Sequence, residues 1–167
     1  MKQLNVICPA LALLAILGGV LPAQAVQVDV QFSGTLVVPP ACVLNGNSAI
    51  NVKFNNGIAL QTTSIDGSNY ATPVPFTLTC TGNPSSLRLR FQGTGSTFDP
   101  NVLATDVTDL GIKLLRPNNS ALNVGDWFTF TYSVTPPAIK AVPVKRPGTI
   151  LPGGAFNGSA TLLVEVL

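Results

Sequence analysis

No histidine occurs anywhere in the 167 residues. Its absence removes the base of ordinary Ser-His-Asp and Cys-His arrangements. It also leaves a zinc-type centre short of ligands, because the chain has three cysteines, and two at most remain once an export signal is removed. Charge is sparse: nine basic and seven acidic residues give a net +2, scattered rather than blocked. Arg88 and Arg90 flank Leu89 in an alternating stretch and read as a solvated strand face rather than a nucleic-acid patch. Lys140, Lys145 and Arg146 lie closer together, but Pro143 and Pro147 break the segment and no aromatics interleave for base stacking. No nucleic acid is expected as a partner. Long stretches of helical period are missing as well, which excludes a helical bundle.

The remaining candidates for chemistry have plainer readings. Asp106 and Asp109 could be an acid pair or a calcium corner; in a Thr-rich turn, two carboxylates three apart are read as capping or solvated groups. Gly93-Thr94-Gly95 resembles a phosphate loop, yet no helix start or lysine follows, so it reads as a turn. Trp127 with Phe128, Phe130 and Tyr132 could form a ligand platform, but the alternation fits core on one face and a covered surface on the other. With this inventory no enzyme and no cofactor is expected.

What is present begins with an export signal. Lys2 supplies a positive start, Val6 to Leu21 an apolar stretch, and Ala23-Gln24-Ala25 a small-x-small cleavage site. Residues 1–25 are therefore expected to leave as a signal peptide, taking Cys8 with them. The remaining 142 residues, 167 less 25, suffice for one domain with a real core. Two cysteines stay, Cys42 and Cys80, and in an exported chain an even pair most simply forms a disulfide, with two free thiols as the alternative. Closing that loop of about 39 residues is worth roughly 4 kcal/mol by loop entropy.

Short segments rich in Val, Thr, Leu and Phe alternate with Gly, Pro, Asn and Ser. Strands are predicted near 26–38, 42–44 with 49–54, 72–80, 86–93, 110–116, 127–134, 139–145 and 156–166, with a brief helical turn in 101–109. The pattern describes an all-β sandwich of immunoglobulin-like size. Its two ends are unusual. Phe156, Gly158, Ala160, Leu162, Val164 and Val166 are apolar or small at every second position, a strand with one buried face and, at the end of the chain, no following segment to cover its edge. At the other end Val26, Val28, Val30 and Phe32 alternate with Gln27, Asp29 and Gln31 ahead of any core. A spare strand and an uncovered groove in one chain imply strand lending between molecules.

These same residues carry a family resemblance. VQVDVQFSGTLVVPPACVL (26–44), PFTLTC (75–80), NVLATDVTDLGIKLL (101–115) and the G-x-F-x-x-x-A spacing of Gly154, Phe156 and Ala160 resemble chaperone–usher fimbrial subunits, in particular minor tip-adaptor subunits of P-type pili. The chain departs from the family's usual penultimate tyrosine with Val166 and from a frequent alanine with Gly158. The resemblance implies an incomplete immunoglobulin-like β-sandwich lacking its last strand (39–167), preceded by an N-terminal donor-strand extension (26–38). It implies a donor strand built on Val26, Val28, Val30, Phe32 and Gly34. It also implies an acceptor groove at Gly154, Phe156, Ala160, Leu162, Val164 and Val166, and a Leu167 carboxylate held by a periplasmic chaperone. The implied partners are that chaperone, an outer-membrane usher and neighbouring pilus subunits including a tip adhesin. The implied destination is a fimbrium on the cell surface. A major rod subunit or a self-contained secreted binding module are the alternatives.

Overall fold

A computed structural model describes residues 26–167, so the expected signal peptide lies outside the described residues. The chain divides into two units between Leu36 and Val37. In the first, residues 26–36 have no regular secondary structure, and Val26, Val28, Val30 and Phe32 are all exposed, Phe32 to 93%. The alternation predicted a strand here, but an alternating segment becomes a strand by pairing with a neighbour, and none of its residues takes part in a ladder.

The second unit is a sandwich of short antiparallel strands: β1 (Cys42–Leu44), β2 (Thr72–Pro73), β3 (Leu78–Cys80), β4 (Ser86–Gly93), β5 (Leu103–Ala104), β6 (Leu110–Leu115), β7 (Ala121–Leu122), β8 (Phe128–Thr131), β9 (Lys140–Lys145) and β10 (Ala160–Val166). One sheet runs β10-β4-β8; the other runs β2-β9-β6-β5, with β7 also paired to β6; β1 and β3 form a separate pair. Period-2 alternation fixes the inner face of the first sheet. In β4, Leu87, Leu89 and Phe91 are buried; opposite them stand Val166, Val164 and Leu162 of β10, and Phe130 and Phe128 of β8. The second sheet answers with Leu103, Ile112, Leu114, Leu122 and Ala141, which join Leu89 and Phe91 in the main core cluster. Pro143 sits inside β9 opposite Ile112. It is tolerated because β2 pairs with β9 at Ala141 and Lys140, so no β2 residue is paired at Pro143 to require its missing N–H.

Four predicted elements of this unit take another form, the first being the strand expected over 72–80, which is split into β2 and β3 in different sheets. Residues 49–54 form no ladder; Ile50, Val52 and Phe54 turn toward the core, but one-turn 3-10 segments at Asn45–Asn47 and Phe54–Gly57 bracket the stretch. Asn45, Asn47, Asn55 and Asn56 there take left-handed backbone angles, which asparagine tolerates better than most residues. The helical turn expected in 101–109 is instead β5 and a turn, because Leu103 and Ala104 pair with Ile112 and Gly111. The last strand starts at Ala160 rather than at 156.

Cys42 and Cys80 are bonded and stand directly opposite one another in the β1–β3 register. The bond closes the loop that carries residues 45–60 against the open side of the sandwich.

Candidate functional site: an apolar groove beside the last strand

The main cavity of the second unit is a groove of about 1130 Å³ between two walls, one formed by residues 48–60 and the other by residues 151–162. Its floor is core, including Phe91, Leu103, Ile112 and Leu114. Among the described residues no strand covers either wall on the groove side. β10 pairs with β4 on one side and, among the described residues, with no strand on the other. Among the described residues the facing wall from Ile50 to Lys53 takes part in no strand ladder, and outside the 3-10 segments no backbone hydrogen bond reaches Ile50, Asn51 or Val52. Unpaired backbone groups along a hydrophobic trench are costly unless water or another chain satisfies them.

Three consecutive residues shape the upper lip of the second wall. The Phe156 ring stacks on Phe54 of the facing wall, with centroids 5.8 Å apart and planes at 28°, so an aromatic pair spans the groove. Phe156 packs against both the main core and the smaller cluster of Ile65, Leu110 and Leu151. Asn157 is held by Asp106. Its backbone N–H donates to Oδ1 at 2.7 Å and its side-chain amide to Oδ2 at 3.1 Å, while the Asp106 N–H donates to the Asn157 carbonyl at 3.0 Å. The two bonds from Asn157, the backbone one foremost, hold the Asp106 carboxyl below the usual aspartate value. At Gly158 the backbone approaches the floor so closely that a Cβ would stand 2.9 Å from Ile112 Cδ1 and 3.1 Å from the Ala104 carbonyl oxygen.

Of the residues expected to form an acceptor groove, Gly154, Phe156, Ala160 and Leu162 line this cavity. Val164 packs against the main core further along β10. Val166 lies opposite Leu87, is 36% exposed and does not line the cavity. The Leu167 N–H donates to the Ser86 carbonyl at 3.1 Å. In the N-terminal unit the expected donor residues are exposed, and Gly34 has no atom within 4 Å of the place a Cβ would take. Two contributors were not singled out as site residues from sequence. The facing wall, Ile50, Val52 and Phe54, was visible as an alternation; the Asp106–Asn157 pair had no local signal.

The outer face of the same sheet is occupied by its own side chains. Arg88 and Arg90 stand 4.4 and 4.5 Å from the Trp127 ring centroid, and Arg88 pairs with Glu165 at 2.6 Å. Cation–π contact and an ion pair cover this face, in keeping with a covered surface and against a ligand platform.

The sequence model of the fimbrial protein family matches residues 30–166. The chain belongs to the fimbrial protein family. It is 36% identical over 148 residues to the uncharacterised fimbrial-like protein YfcR of Escherichia coli K12, covering 86% of this chain and 83% of that one. It is 33% identical over 148 residues to the fimbrial-like protein YfcQ of the same strain, covering 86% and 90%. Among solved structures, the P pilus adaptor subunit PapF superposes with a TM-score of 0.57 at 25% identity, over 78% of this chain and 98% of that one. The P pilus rod subunit PapA superposes with a TM-score of 0.54 at 18% identity, over 83% and 100%, a likeness of fold. The sandwich is thus the incomplete immunoglobulin-like fold of pilin subunits, and the chain is a structural fimbrial subunit.

Proposed function

We propose that this subunit is a minor tip adaptor that links two neighbouring pilus subunits by donor-strand complementation followed by exchange. The observation that carries the reading is the groove itself: an apolar trench flanked by β10 and by the wall at Ile50–Lys53, both lacking a ladder partner on the groove side among the described residues. An extended segment laid between them satisfies the backbone groups of both walls, and its alternate side chains fill the trench. A periplasmic chaperone supplies that segment first, with the Leu167 carboxylate as its anchor. At an outer-membrane usher the extension of the next subunit replaces it. Val26, Val28, Val30 and Phe32 in turn enter the groove of the subunit nearer the tip, an adhesin or another adaptor, and Gly34 admits a close backbone approach. Assembly in this way leads to a fimbrium on the cell surface.

The deciding experiment deletes residues 26–32 and compares capture of the chaperone with capture of the tipward subunit. Chaperone capture should persist and tipward joining should be lost. Loss of both places residues 26–32 in the domain's own fold and turns the reading toward a self-contained secreted module. The likeness to the rod subunit PapA favours a second reading, a major rod pilin, and abundance in purified pili separates the two: an adaptor is present in a few copies per fibre, a rod subunit in most positions.

A further inference from the structure

The lip residue Asn157 is 51 positions from Asp106 in sequence, yet three hydrogen bonds join the two. The bonds sit between two other restraints, the Phe156 ring on Phe54 across the groove and the Gly158 backbone against Ile112 and Ala104. We infer that Asp106 is a positioning residue of the strand-binding groove: its carboxylate fixes the lip at Phe156–Gly158 and thereby sets how firmly an inserted strand is held. The inference rests on the strand-acceptor reading above.

The physical argument is one of local restraint. Residues 152–159 belong to no strand, so nothing in a ladder holds them at the groove mouth. Asp106 supplies the missing anchor from the turn after β5, and one carboxylate accepts both a main-chain and a side-chain donor of the same residue, a bidentate grip stronger than two neutral bonds. Releasing it would let Asn157 swing outward and carry the Phe156 ring off Phe54, widening the groove and loosening its grip on the backbone of an inserted strand.

Few other charges bear on the pair. On its own turn Asp109 is engaged by Arg146 at 2.8 Å. The facing wall, residues 48–60, contributes Lys53, β10 contributes Glu165 on the outer face, and residues 151–164 contain no charged side chain. Asn157 itself lowers the Asp106 pKa. A carboxyl lowered in the folded state favours the pinned lip above its unfolded value, and the preference is lost as pH falls through the lowered value.

The test uses the full exported chain, with fluorescent synthetic peptides of the N-terminal extensions of the neighbouring pilus subunits, and of its own residues 26–38 as a comparison, as strand probes. Two readouts are taken: amide exchange over residues 155–159 and the rate at which bound peptide is released. Asp106→Asn, which sets its amide against the Asn157 amide, should raise lip exchange and speed peptide release about fivefold, the effect of losing roughly one hydrogen bond. The double variant Asp106→Asn with Asn157→Asp, which exchanges donor and acceptor, should return both toward wild type. Asp126→Asn, which weakens an Asn123–Asp126 bond of similar length (3.0 Å) away from the groove, should change neither. Below the ordinary aspartate value of 3.8 the Asn157 amide proton resonance should shift with pH in wild type and stay flat in Asp106→Asn. Unchanged lip exchange or unchanged release in Asp106→Asn, or failure of the exchanged pair to restore them, overturns the inference. A wild-type chain that binds no peptide, while lip exchange still responds to Asp106→Asn, overturns the strand-acceptor reading instead and leaves the lip anchor standing.

Discussion

At the scale of single residues, the sandwich is tightest where backbone meets backbone without room for a methyl group. At Gly95 a Cβ would stand 2.5 Å from the Pro100 carbonyl oxygen and 3.0 Å from its Cα, atoms that cannot step aside without moving the chain. At Gly158 the nearest atom is the tip of the Ile112 side chain, which can yield, though the Ala104 carbonyl oxygen at 3.1 Å yields less readily. Overpacking of this kind costs about 1–3 kcal/mol, and the two sites should fall at opposite ends of that range. Gly95→Ala should lower the denaturation midpoint more than Gly158→Ala, as measured by urea titration. Ile112→Val, which removes the clashing Cδ1, should rescue Gly158→Ala in a double-mutant cycle and do nothing for Gly95→Ala. Equal losses at both sites would show that the contacts at Gly158 yield no more readily than the Pro100 backbone does at Gly95.

At the scale of elements, the Phe54–Phe156 stack joins a wall that has no ladder to a lip that has none. Aromatic pairs of this geometry contribute about 1 kcal/mol beyond the area they bury, so a cycle of Phe54→Ala and Phe156→Ala should give a coupling energy of that order; additive losses would show that the rings do not act together across the groove. The same elements show what was legible in the sequence. The strands β4 and β10 were visible because Leu87, Leu89, Phe91 and Leu162, Val164 alternate over a length that permits no other period. Ile50, Val52 and Phe54 alternate just as clearly, and their inward direction follows. Alternation cannot report whether a neighbouring strand exists, so a bare wall was read as a strand. β5 and β7 are two residues each, too short for any period, and β5 lay hidden in a stretch read as helical. The Asp106–Asn157 anchor was illegible for a different reason: packing of the turn after β5 against the lip creates it, and neither residue's neighbours announce it.

At the scale of the whole molecule, the bond between Cys42 and Cys80, separated by 38 positions, has a mechanical consequence. A fibre subunit is a link in a chain under tension. A pull applied ahead of Cys42 and opposed at β10 crosses the covalent bond directly into β3, and the enclosed segment, which includes the groove wall at residues 48–60, is bypassed. The groove wall at residues 48–60 therefore carries no share of the axial load between its own two anchor points. In a single-molecule stretching experiment with handles at the two ends, the oxidised protein should unfold with a contour length shorter by about 130 Å than the reduced protein, at about 3.5 Å per hidden residue. Equal lengths in the two redox states would mean that the bond does not shunt the force. Tethered in this way, the groove wall acts as slack held out of the load path, and a pull along the chain is borne by β10 and its ladder to β4 before it can deform the opposite side of the groove.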